Sequence, residues 1–155
     1  MDNGIIVTPG LVLRETETKE SDKILTVLTP ELGRISVIAK GARSRRSKYT
    51  AACQLLAYDE MTLRRKGEWY YLAEANTIEL FDGVRQDIER LALAAYFAEL
   101  TEAVCQDAMA AAEILPLLLN ALFALRNALA SSMLVESLRT LSRFSSSFAS
   151  YTSFR

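Results

Sequence analysis

Between Arg34 and Lys66 the sequence places nine basic side chains: Arg34, Lys40, Arg43, Arg45, Arg46, Lys48, Arg64, Arg65 and Lys66. Only two acids, Asp59 and Glu60, share that stretch, so it carries +7 in a chain whose formal net charge is −1. The remainder must carry −8. Such a segment can neutralise phosphates. Each Lys or Arg that reaches a phosphodiester releases condensed counterions, so binding falls steeply as salt rises. The plainer reading is solvated loop charge balanced by acidic helices. Tyr49, Tyr58, Trp69, Tyr70 and Tyr71 lie near the cations and offer faces on which bases can stack. Strands bury such rings routinely, and alternation puts Tyr70 on the opposite face from Trp69 and Tyr71. The segment Glu15 to Asp22 is net acidic and should repel a phosphate backbone, confining binding to one side.

Catalysis finds little support. The chain contains no histidine, which removes histidine-activated nucleophiles and most zinc geometries. Asp59 and Glu60 are sequence neighbours, and neighbours on a strand point to opposite faces. No phosphate-binding glycine loop, nucleophile elbow or zinc spacing occurs. Cys53 and Cys105 lack CxxC spacing and read as buried thiols of a reducing compartment. The expectation is a protein that is not an enzyme and needs no cofactor or metal.

The elements that must position the cations fall into two groups. Up to about residue 81 the pattern is β. Ile5–Val7 and Leu11–Leu13 suggest one long strand bent or bulged near Pro9-Gly10. Lys23–Thr29 and Arg34–Lys40 form a hairpin across Pro30-Glu31-Leu32-Gly33. Leu55–Arg65 and Trp69–Leu80 form a second across Lys66-Gly67-Glu68, and a short helical turn fits Thr50–Gln54. From Val84 the period is helical, first to about Val104 and then from Asp107 to Ala130, with Pro116 bending the second helix or marking its first turn. The most apolar run, Ile114–Leu125, is bounded by Glu113 and Arg126 and is shorter than the roughly 20 residues a bilayer needs. With an acidic residue at position 2 and no signal-peptide charge pattern, the expectation is a cytoplasmic, soluble chain with no membrane role. Nine of the last 25 residues are serine, which weakens helix, so 131–155 reads as a frayed or disordered tail.

Five short strands followed by helices predict a five-stranded OB-fold β barrel with an appended α-helical region. The expected organisation is an OB-fold nucleic-acid-binding domain over 1–81, a helical domain over 82–130 and the tail. In that fold the Arg64-Arg65-Lys66 cluster sits at the turn between strands 4 and 5. Arg43, Arg45, Arg46 and Lys48 lie in the connection from strand 3 to strand 4, and Arg34 and Lys40 flank strand 3.

Several of these residues, in register, resemble a known family. Gly10-Leu11-Val12-Leu13-Arg14 is followed by Glu20-Ser21-Asp22-Lys23-Ile24-Leu25, then by Thr29-Pro30-Glu31-Leu32-Gly33-Arg34 and Ala39-Lys40-Gly41-Ala42-Arg43 with Ser47. This series resembles the N-terminal OB domain of the bacterial RecO family of recombination mediators. Leu80-Phe81 and the later Tyr96-Phe97-Ala98-Glu99-Leu100 resemble the helix that follows the barrel. The resemblance implies a DNA-binding recombination mediator in DNA repair, one that binds single- and double-stranded DNA and anneals complementary strands. It implies work with RecR, RecF and SSB in loading RecA at gaps, on the nucleoid. It also implies that Lys40, Arg43, Arg45, Arg46 and Arg65 belong to a DNA-binding face. Family members continue through more helices and often a zinc module, so the change of composition after Ala130 is what a truncated or frame-shifted end would produce. Two other readings are a protein-interaction module docking through its Leu-rich helix, and an OB-type RNA-binding factor.

Overall fold

In a computed structural model, the described residues are 4–18, 20–105 and 107–127, with Arg139, Thr140 and Arg143 beyond them in helical conformation. The expected serine-rich tail otherwise lies outside the described residues. Five strands, β1 (Ile5–Glu17), β2 (Lys23–Thr29), β3 (Gly33–Ala39), β4 (Tyr58–Lys66) and β5 (Trp69–Glu79), precede α1 (Asp82–Arg85), α2 (Ile88–Val104) and α3 (Ala108–Asn127). The strands close into a barrel in the order β1-β2-β3-β5-β4, with β3 and β5 parallel and the other pairs antiparallel. This is the OB-type barrel followed by helices that the sequence pattern predicts.

β1 serves two partners. Its first half pairs with β4 from Ile5↔Arg64 to Leu11↔Tyr58, and its second half with β2 from Leu11↔Leu28 to Glu17↔Lys23. The bend or bulge expected near Pro9-Gly10 is corrected in position: pairing runs regularly through both residues, and the register shifts between Val12 and Arg14. Leu11, Val12 and Leu13 are all buried because both faces of β1 are covered here, by the barrel interior and by the helices. Val12 points into the barrel while Leu11 and Leu13 face the helices. Gly10 stays in the ladder because the wall is tight: a Cβ there would lie 2.6 Å from Val27 Cγ1.

Two cores result. Val12, Leu25, Val27, Ile35, Val37, Met61 and Leu63 fill the barrel. Leu11, Leu13, Leu28, Leu56 and Phe81 join Phe97, Leu118, Leu122 and other helical residues beneath it. The turn Thr50–Gln54 is reduced to a single α-type bond, Cys53 N–H to Tyr49 O at 3.0 Å. The first helical stretch is broken into α1 and α2, because Asp87 leaves the helix and caps α2, accepting from the N–H groups of Glu89 and Arg90. Asp107 likewise accepts from Ala110 N–H at 2.8 Å where α3 begins. Pro116 lies inside α3 on its exposed side.

α3 has 20 residues and a mean hydropathy of 1.9, long and apolar enough by itself to cross a bilayer. This corrects the shorter apolar run inferred from the sequence, since Ala108–Ala112 extend it. In the fold Ala111, Leu115, Leu118, Leu122 and Leu125 are buried against the barrel and neighbouring helices. The Leu-rich face expected to dock a partner is therefore already covered.

Candidate nucleic-acid interface

The β4–β5 hairpin carries its cations past the end of the barrel core. Leu63 is buried, whereas Arg64, Arg65 and Lys66 are exposed, and Gly67, at φ +63°, turns the chain back into Trp69. Cross-strand register sets Arg64 opposite Tyr71 and Arg65 opposite Tyr70. β3 runs parallel beside β5, pairing Ile38 with Tyr71, so Lys40 emerges just past that ring. Its Nζ lies 5.4 Å from the Tyr71 ring centroid. Lys40, Arg64, Arg65, Lys66 and Tyr71 thus line one open groove of about 620 Å³, with Ile5, Leu72 and Ala73 as its apolar wall. Among the described residues no carboxylate lines it.

Lys40 and the Arg64–Lys66 cluster, distant in sequence, meet here, whereas Arg43, Arg45, Arg46 and Lys48 do not line the groove. Tyr70 turns inward against the barrel core, the opposite facing to Tyr71 that alternation requires, with Arg65 over the Tyr70 ring at 6.0 Å. Trp69 remains 46% exposed at the hairpin tip. Ile5 had no signal of its own in the sequence; only its register opposite Arg64 puts it in the groove.

The β3–β4 connection runs alongside. Tyr49 Oη donates to the Ala73 carbonyl at 2.7 Å, pinning that loop to the wall of the groove. Lys48 lies over the Tyr49 ring at 4.9 Å. Tyr49 is also the main cause of a Lys48 pKa above its ordinary value, so the ammonium is charged throughout the physiological range. Arg45 and Arg46 are exposed.

Arg34 and Arg43 are placed differently. Arg34 Nη1 donates to the Glu102 carbonyl at 2.6 Å, tying β3 to α2. Arg43 is paired with Glu17 at 3.1 Å and donates to the Thr18 carbonyl at 2.9 Å. The acidic β1–β2 connection is thus fastened to the start of the basic loop. Neither arrangement is visible in composition, because the partners are separated by 68 and about 25 residues.

Cys53 and Cys105 are free and fully buried, and burial pushes each thiol up to about 11. Thiols held so far from ionisation are poor nucleophiles.

A closed OB-type barrel backed by helices, with a cation- and tyrosine-lined groove on its wall, defines the class. Residues 1–81 match the family described as Recombination protein O N terminal. The chain belongs to the RecO family. It is similar to DNA repair protein RecO of Acetivibrio thermocellus, 37% identical over 118 residues, 76% of this chain and 47% of that protein. DNA repair protein RecO of Caldicellulosiruptor bescii is 36% identical over 122 residues, 79% and 50% of the two chains. That of Anaeromyxobacter is 36% identical over 118 residues, covering 75% and 46%. The chain spans about half the length of the curated relatives it matches.

Proposed function

We infer that this chain acts in DNA repair and recombination by binding single-stranded DNA on its barrel, without catalysing a reaction. The observation that carries the reading is the convergence of Lys40, Arg64, Arg65 and Lys66 around Tyr71, from the ends of β3 and β4, which flank β5 on either side. Four cations in one groove repel each other and favour a polyanion. An aromatic face between them accepts any base, so the mode is phosphate contact with sequence-tolerant stacking. Arg45, Arg46 and Lys48 extend the path along the neighbouring loop. On this reading strands are brought together for annealing by charge neutralisation. Hand-over to RecR, RecF, SSB and RecA, and a place on the cytoplasmic nucleoid, belong to the same proposal and rest on family likeness alone.

The test is a salt titration of single-strand affinity. Changing Lys40, Arg64 and Lys66 together to Ala should weaken binding and flatten the log K against log[salt] slope by about 2, since each lost phosphate contact removes about 0.7. An unchanged slope would return these residues to ordinary solvated charge.

A further inference from the structure

The basic β3–β4 loop is pinned at both ends. At its far end Tyr49 holds the Ala73 carbonyl. At its near end Gly41 N–H donates to Asp22 Oδ1 at 2.7 Å, and Arg43 N–H donates to Ser21 O at 3.0 Å. The Arg43 side chain completes the junction as a fork: Nη1 to the Thr18 carbonyl at 2.9 Å and Nη2 to Glu17 at 3.1 Å. The receiving loop is itself closed, Thr18 Oγ1 donating to the Asp22 carbonyl at 3.0 Å.

A lone exposed ion pair is worth little. Here one planar guanidinium satisfies a carboxylate and a carbonyl at once, beside two backbone bonds, which is the geometry lysine cannot reproduce. Arg43 thus has its charge balanced by Glu17 and its orientation fixed by two acceptors on the neighbouring loop, so its spare N–H groups are not free to follow a phosphate backbone. Arg45 and Arg46 lie two and three residues on, and both are exposed.

We propose that Arg43 is a positioning residue of the nucleic-acid surface and not a phosphate contact. It locks the basic β3–β4 loop to the acidic β1–β2 loop, so that Arg45, Arg46 and Lys48 stand beside the groove at Tyr71. The purpose of the latch rests on the DNA-binding reading above; the latch itself does not.

Two measurements on the full chain separate these. In limited trypsin digestion without DNA, Arg43→Ala and Arg43→Lys should each speed cleavage of the Arg46–Ser47 bond about tenfold, because the loop opens more often. In single-strand binding, both variants should lower affinity while leaving the salt slope unchanged, whereas Arg45→Ala and Arg46→Ala should each flatten it by about 0.7. The proposal is overturned if Arg43→Ala flattens the slope like its neighbours and Arg43→Lys restores it. It is equally overturned if cleavage in both Arg43 variants matches the unmodified chain. Should Arg45→Ala and Arg46→Ala also leave the slope unchanged, the DNA reading of this loop falls, and the digestion alone decides whether Arg43 is the latch.

Discussion

Asp59 is a carboxylate turned into the barrel. It sits opposite Gly10 on β1 and Thr77 on β5, has no solvent exposure, and neither oxygen has a hydrogen-bond partner among the described residues. Burial pushes its pKa from 3.8 up to about 6. The native state therefore holds this proton more tightly than the unfolded chain does. The sign follows: ionised Asp59 weakens the fold at neutral pH, and this penalty fades as pH falls through about 6 towards 4. A two-unit shift corresponds to about 3 kcal/mol at most. Asp59→Asn should therefore raise stability at pH 7.5 by about 1–3 kcal/mol and give no such gain near pH 4.5. Urea unfolding at the two pH values measures it, and an equal effect at both would mean that the ionised group carries no penalty. Strand alternation made the opposite facing of Asp59 and Glu60 legible, as it did that of Tyr70 and Tyr71, but not which of the two tyrosines turns inward. That the inward carboxylate would stand unpaired was not legible, since its surroundings come from β1 and β5. The roles of Arg34 and Arg43 were hidden for the same reason: their acceptors lie on other elements.

At the scale of elements, hairpins read well because their signals are local. Thr29-Pro30-Glu31-Leu32-Gly33 gave the β2–β3 turn, where Thr29 Oγ1 accepts from Leu32 N–H and donates to Gly33 O. Gly33 has φ +72°, and an added Cβ would meet the Asp107 carbonyl carbon at 2.8 Å, so this turn also seats the start of α3. Gly41 has nearly the same backbone, φ +65°, with nothing within 4 Å. The pair separates backbone strain from docking. Gly41→Ala should cost about 1–2 kcal/mol, the left-handed penalty alone. Gly33→Ala should cost about 2–5 kcal/mol, because α3 must also shift. Thermal or denaturant unfolding of the two variants gives the difference, and equal losses would show that the turn does not seat the helix. What the period could not show was the bulge at Leu13 or the break before α2. Three adjacent apolar residues look alike whether a strand bulges or not, and a capping aspartate interrupts the helix without interrupting the apolar stripe.

For the whole molecule, the decisive fact is that barrel and helices share a core. Leu11, Leu13 and Leu28 on the strands, Leu56 before β4, and Phe81 after β5 are almost fully buried with Phe97, Leu118 and Leu122. Phe81 packs edge-on against Phe123 at 5.0 Å, and Glu79 holds Arg126 at 2.5 Å. The division at residue 81 is therefore a boundary of pattern more than of packing. Cutting there would expose several large side chains, each worth roughly 1.5–3 kcal/mol when buried. That sum is comparable with the 5–15 kcal/mol that holds a small domain together. A chain of residues 1–81 should consequently fail to give a cooperative unfolding transition, whereas residues 1–127 should unfold cooperatively. Circular dichroism melts of the two fragments test this. A cooperative melt of 1–81 would mean that the barrel interior of Val27, Val37, Met61 and Leu63 suffices without its helical floor.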